Sequence, residues 1–170
     1  MALTEQEEKI LDSIIVASEN DPDKPEFPPD DPKFPATPTY KIEVPGFSNV
    51  WLKDESHNKT GTHKDRMAWE MIVTYKEFLK SKKIGKIDKL PILSILSSGS
   101  AALAIQTLLK KYGLPDLHVL MDSQTDSSIV ENIKKIGCKI FLEDLGRKTF
   151  DWEEILQLTD NEDGFDITSN

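Results

Sequence analysis

An α/β fold, with a parallel sheet covered by helices on both faces, is predicted by three features of this chain. Strand-like and helix-like segments alternate from Asn49 onward. The strands are short, nearly unbroken apolar runs, the pattern of a sheet buried on both sides. Gly113 followed by Pro115, and later Gly137, stand where a helix must stop before the next strand begins. Right-handed crossovers should join the strands, giving three layers.

The elements follow in order. Thr4 with Glu7 is a capping box that opens a short helix, whose apolar stripe is Ile10, Leu11, Ile14 and Ile15. Pro22, Pro25, Pro28, Pro29, Pro32, Pro35 and Pro38 then exclude helix and central strand between Asp21 and Thr39. That stretch reads as an extended arm or linker, and residues 1–40 are set apart as helix plus arm. Strands are expected near Val50–Lys53, Pro91–Leu96, Leu117–Met121 and Lys139–Glu143. Helices are expected near Lys64–Lys80, Ser100–Tyr112, Thr125–Ile136 and Trp152–Leu158, all within one domain over 41–160. Met67, Met71, Tyr75 and Phe78 line one helical face beside Ala68, Ile72 and Leu79, a core stripe with no cofactor role. Residues 161–170 lack a terminating amphipathic element and read as a truncated connection to a missing second domain.

Composition narrows the class. With 38% hydrophobic and 30% charged residues, the 170-residue chain reads as soluble and globular, long enough for one real core. Thirty acidic against 21 basic residues give a net charge of -9, which argues against nucleic-acid binding. The N-terminus is Glu-rich without an uninterrupted apolar run, and no stretch approaches membrane-spanning length, so the cytoplasm is the expected compartment. Cys138 is the only cysteine and sits in a strand pattern, where a buried inert thiol is the default. With one cysteine and no paired His/Asp/Glu spacing, no metal site is expected.

The most informative stretch is Asn58-Lys59-Thr60-Gly61-Thr62-His63-Lys64-Asp65-Arg66, preceded by the strand end Lys53-Asp54-Glu55. It places Lys64 in the first turn of a helix, where the positive end of the dipole favours the free amine over the ammonium. A neutral amine is what Schiff-base chemistry requires. Alone, a lysine near a helix start is ordinarily a solvated surface residue. Asp65 suits the first helical turn, Arg66 can pair with a carboxylate, and His63 reads as a turn residue rather than a catalyst. His57 and His118 stand isolated.

This stretch resembles the lysine segment of fold-type II pyridoxal-phosphate enzymes, the group of cysteine synthase, threonine synthase, the serine/threonine dehydratases and the tryptophan synthase β subunit. The Thr37-Pro38 pair also stands where that family carries a Thr-Pro element. The resemblance implies the fold of the family's small N-terminal domain, pyridoxal 5'-phosphate as cofactor, and Lys64 as both its covalent anchor and the catalytic base.

A second segment, Ser97-Ser98-Gly99-Ser100-Ala101, joins an apolar strand to a helix. Free amides at a helix start attract an anion, the serine hydroxyls add donors, and glycine lets a ligand approach the backbone. Ordinary N-capping would look the same. The resemblance gives these residues to the carboxylate of an amino-acid substrate. It also puts Ser100 where the family most often has Asn, whose amide meets the cofactor's 3-hydroxyl. A looser match over Leu117–Leu142 speaks for fold only.

The eight glycines are never closer than nine positions apart, so no phosphate-cradling loop of clustered glycines is present. By the resemblance, such a loop comes from a C-terminal domain. The expected reading is the N-terminal part of a pyridoxal-phosphate-dependent amino-acid lyase or synthase, inactive alone. β-Elimination, β-replacement and a threonine-synthase-like reaction stay open, as does a homodimer. The alternative is a non-catalytic binding module that keeps the fold without a complete cofactor site.

Overall fold

The structure is a computed structural model that describes residues 2–15, 36–146 and 149–168. Helix α1 (Glu5–Ser13) precedes strands β1 (Thr39–Val44) and β2 (Phe47–Lys53). Then come α2 (Lys64–Lys83), β3 (Leu93–Leu96), α3 (Ser100–Tyr112), β4 (His118–Asp122), α4 (Ser127–Lys135), β5 (Lys139–Glu143), α5 (Trp152–Leu158) and β6 (Phe165–Asp166). Among the described residues, no helix is long and apolar enough to cross a membrane. Most of the Pro-rich stretch lies outside the described residues.

Four parallel strands form the central sheet in the order β5-β4-β3-β6. The connections β3-α3-β4 and β4-α4-β5 step one way across the sheet, and β5-α5-β6 steps back past β3. Right-handed crossovers therefore put α3 and α4 on one face and α5 on the other. Burial agrees. Ile95, Val119 and Met121 join the large apolar core with α2 and α3, whereas the buried Leu120 lies outside that cluster.

The α5 face is bolted by polar contacts. Ser94 and His118, paired in register, both meet Thr159: hydroxyl to hydroxyl at 2.8 Å, and His118 Nδ1 to the carbonyl at 2.7 Å. Asn161 Nδ2 donates to Ser94 Oγ at 2.7 Å and to the Ile92 carbonyl at 3.0 Å. Burial pushes the His118 imidazole below its usual pKa, and its Nδ1 is committed to the Thr159 carbonyl. Cys138 is likewise buried, and burial pushes its thiol up to about 12.

Two expectations change. The strand over Val50–Lys53 does not head the parallel alternation. It belongs to β2, which pairs antiparallel with β1 in a separate two-stranded sheet, Tyr40 opposite Leu52 and Ile42 opposite Val50. The tight turn at Pro45-Gly46 is the physical reason, because it folds the chain back before any crossover can begin. Residues 161–168, read as a connection, contain β6, which pairs with β3 through Leu93–Phe165 and Ser94–Asp166. Two residues are too few to show a periodicity.

The capping box of α1 is present, with the Glu7 amide 3.2 Å from Thr4 Oγ1 and the Thr4 amide 2.8 Å from the Glu7 carboxylate. Glu7 also binds Lys82 at 2.6 Å, and Lys76 Nζ donates to the Ile14 carbonyl, so α1 is strapped along α2. Ile10, Leu11 and Ile14 are buried there, while Ile15 faces solvent. On α2 the buried apolar positions are Ala68, Trp69, Met71, Ile72, Tyr75 and Leu79, while Met67 and Phe78 of the expected stripe are only partly buried and Trp69 joins it.

Candidate functional site

The lysine segment is built as a chain of local locks. After β2, Asp54 accepts from the amide and hydroxyl of Ser56, at 3.1 and 2.5 Å, and turns the chain. Gly61 adopts φ +79°, a left-handed geometry that glycine takes without strain, and its amide reaches the Asn58 carbonyl at 2.9 Å. The buried Asp65 carboxylate reaches back to Thr60, accepting from its amide at 3.1 Å and its hydroxyl at 2.5 Å. Thr62 Oγ1 accepts the Lys64 amide at 3.2 Å, and α2 begins at Lys64. His63 is exposed and makes no side-chain cap.

A second carboxylate, Glu55, joins this loop to three other points. It accepts from Thr37 Oγ1 at 2.7 Å, Arg66 Nε at 2.9 Å and Asn58 Nδ2 at 2.6 Å. Lys53 lies 3.7 Å away. The Arg66 guanidinium, then the Thr37 hydroxyl and the Asn58 amide, hold the Glu55 carboxyl down from its ordinary 4.5 to about 2.

A depressed carboxyl contributes stability above its unfolded pKa and loses it as pH falls through the folded value. The Glu55 contribution is therefore complete above pH 4.5 and gone near pH 2. Urea midpoints measured down this window should fall more steeply for the native protein than for Glu55→Gln. Parallel curves would remove Glu55 from the acid response.

Lys64 itself is half-buried, and its ammonium makes no hydrogen bond or ion pair among the described residues. In a segment where Asp65, Arg66, Glu55 and Asn58 are all engaged, the central lysine is left available.

The second candidate segment leaves β3 at the carboxyl edge of the sheet, where ligands of open α/β sheets bind. The Ser97 amide is tied to the Leu120 carbonyl of β4 at 3.0 Å, and its buried Oγ accepts the Gly99 amide at 3.1 Å. Gly99 has φ +130°, and a Cβ there would stand 3.1 Å from Ile129 Cγ2 of α4, so both backbone and space call for glycine. No side chain caps α3. The Leu103 amide takes the Gly99 carbonyl at 2.9 Å, so the amides of Ser100, Ala101 and Ala102 lead the helix as open donors. Ser98 and Ser100 are exposed, and Ala101 is buried and offers only its backbone.

Ser97 through Ala101 thus share one loop, while Lys64 starts a different helix, α2, which packs on α3. No hydrogen bond or ion pair joins Lys64 to that loop among the described residues. An unengaged lysine and an open set of amides fit an aldehyde cofactor and an amino-acid carboxylate in kind. Sequence reasoning passed over Glu55, Thr37 and Asn58 as a unit. Their signal was present, since Glu55 closes the Lys-Asp-Glu strand end and Thr37 opens the Thr-Pro element, but 18 residues separate them.

A family profile described as Pyridoxal-phosphate dependent enzyme matches residues 33–161. No curated protein matches the chain. Among solved structures, a pyridoxal 5'-phosphate-dependent aspartate racemase is similar at 20% identity and TM-score 0.57, over 81% of this chain and 40% of that one. O-ureido-L-serine synthase is similar at 21% identity and TM-score 0.54, over 77% of this chain and 40% of that one. The O-acetylserine dependent cystathionine beta-synthase from Helicobacter pylori gives 16% and 0.54, over 78% and 43%. These likenesses show the fold, and the chain spans about two fifths of the length of each.

Proposed function

The chain belongs to the family of pyridoxal-phosphate dependent enzymes, and on that premise we propose that it is the lysine-bearing portion of an amino-acid lyase or synthase. Its cofactor is pyridoxal 5'-phosphate, as for the family. The observation that carries the proposal is the half-buried Lys64 at the start of α2, whose amine is unengaged among the described residues while its charged neighbours Asp65 and Arg66 are both engaged.

Lys64 would hold the cofactor. When bound, pyridoxal phosphate supplies an electron sink for negative charge developing at the substrate α-carbon. The amides of Ser100 to Ala102, with the Ser98 hydroxyl, would bind the substrate carboxylate. Gly99 admits it to the backbone, and Ser97 shapes the turn. Lys64 Nζ would be the general base that takes the α-proton. The Ser100 hydroxyl would be the donor offered to the cofactor's 3-hydroxyl in place of the usual Asn, with a shorter reach. Elimination or replacement at the β-carbon and a threonine-synthase-like course all use this first deprotonation. Catalysis in the cytoplasm, with further polypeptide supplying the phosphate site, completes the reading.

The test is borohydride reduction of the chain after incubation with pyridoxal phosphate, followed by peptide mapping. The expected result is an adduct concentrated on Lys64. Labelling spread evenly over surface lysines would overturn the reading and favour a non-catalytic module.

A further inference from the structure

The Glu55 cluster makes contacts that the proposed chemistry leaves unused. Glu55 sits between the end of β2 and α2, and it touches the segment before β1, the lysine loop and α2 together. From the first comes Thr37 Oγ1 at 2.7 Å, from the second Asn58 Nδ2 at 2.6 Å, and from the third Arg66 Nε at 2.9 Å. Arg66 Nη2 lies 3.4 Å from both Glu55 Oε1 and Thr37 Oγ1, closing the ring. Charge-assisted bonds of this kind are about twice as strong as neutral ones.

Asn58 shows what the arrangement costs. It is 5% exposed and gives its Nδ2 hydrogens to Glu55 and, at 3.0 Å, to the Thr62 carbonyl. That choice leaves its Oδ1 as the buried side-chain oxygen without a partner among the described residues. An unpaired buried acceptor is destabilising. The loop bears it to keep Asn58 turned towards Glu55 and towards Thr62, whose own hydroxyl takes the Lys64 amide.

We propose that Glu55 is a positioning residue for Lys64: through Asn58 and Thr62 on one side and Arg66 on the other, it fixes the lysine where it can capture an aldehyde. This rests on the reading of Lys64 as the cofactor lysine. Glu55 reaches the lysine from both flanks of the loop and takes no part in the chemistry.

The experiment measures the Schiff-base absorption and the borohydride-trapped adduct, site by site, on the full chain with pyridoxal phosphate. Native protein, Glu55→Gln, Thr37→Val and Arg66→Lys are compared. Glu7→Gln, which breaks the clamp between α1 and α2, serves as a destabilised control away from the loop. Glu55→Gln should lower adduct at Lys64 at least about tenfold, as expected for a displaced reacting group, with adduct at other lysines unchanged. Thr37→Val should lower it severalfold, Arg66→Lys should retain part of it, and Glu7→Gln should leave it intact. If Glu55→Gln does not fold, Thr37→Val decides. Native-like capture in the folded variants overturns the proposal while the Lys64 reading stands. Equal losses at Lys64 in Glu7→Gln also overturn it, since general destabilisation would then suffice. Native protein that fails to label Lys64 removes both readings.

Discussion

Lys64→Ala is expected to abolish the pyridoxal-phosphate adduct recovered after reduction, leaving only the background shared by exposed lysines. The thermal midpoint should barely move. Lys64 is half-buried with no partner among the described residues, and alanine is a good helix former at the first position of α2. A surface change without lost contacts stays within about 0.5 kcal/mol. Loss of the adduct with an unchanged melting curve therefore reports chemistry rather than folding. An adduct that persists at another lysine in similar yield would break the link between this segment and the cofactor.

Tyr75→Ala should produce the largest loss of stability. The ring is fully buried on α2, meets Phe78 edge-on at 5.9 Å, and its hydroxyl donates to the Pro91 carbonyl at 2.5 Å just before β3. Removing a buried aromatic costs about 3–5 kcal/mol. At a few degrees per kcal/mol, the melting temperature should drop by about 10 °C. Tyr75→Phe separates the terms, because it keeps the ring and orphans only the carbonyl, at about 1–3 kcal/mol. If both variants melt alike, the hydroxyl rather than the packing holds α2 to the sheet.

The parallel sheet was legible because each strand is an apolar run and each helix carries a signal of its own: Met71 and Tyr75 on a stripe, Gly113 and Gly137 at stops. Lys64 and Gly99 were legible because their neighbours in sequence are their neighbours in space. β6 was not, since two residues gain their meaning only from pairing with Leu93 and Ser94. Nor was the hairpin of β1 and β2, whose Tyr40, Ile42 and Leu52 are exposed and so give no burial pattern to distinguish it from a core strand.

The sequence by itself determined the succession of α2 through β5, the resemblance to the family, and the place of Lys64 at the head of a helix, because these depend on local pattern and on motifs a few residues long. Only the tertiary structure decided that Thr37, Glu55 and Arg66 meet, that Thr159 at the end of α5 is bolted to Ser94 and His118, and that Lys64 is left without a partner among the described residues. Such facts depend on which charges the fold brings within hydrogen-bonding distance. A carboxylate can lie 11 residues from its arginine and 18 from its threonine, and neither separation marks the pair in advance.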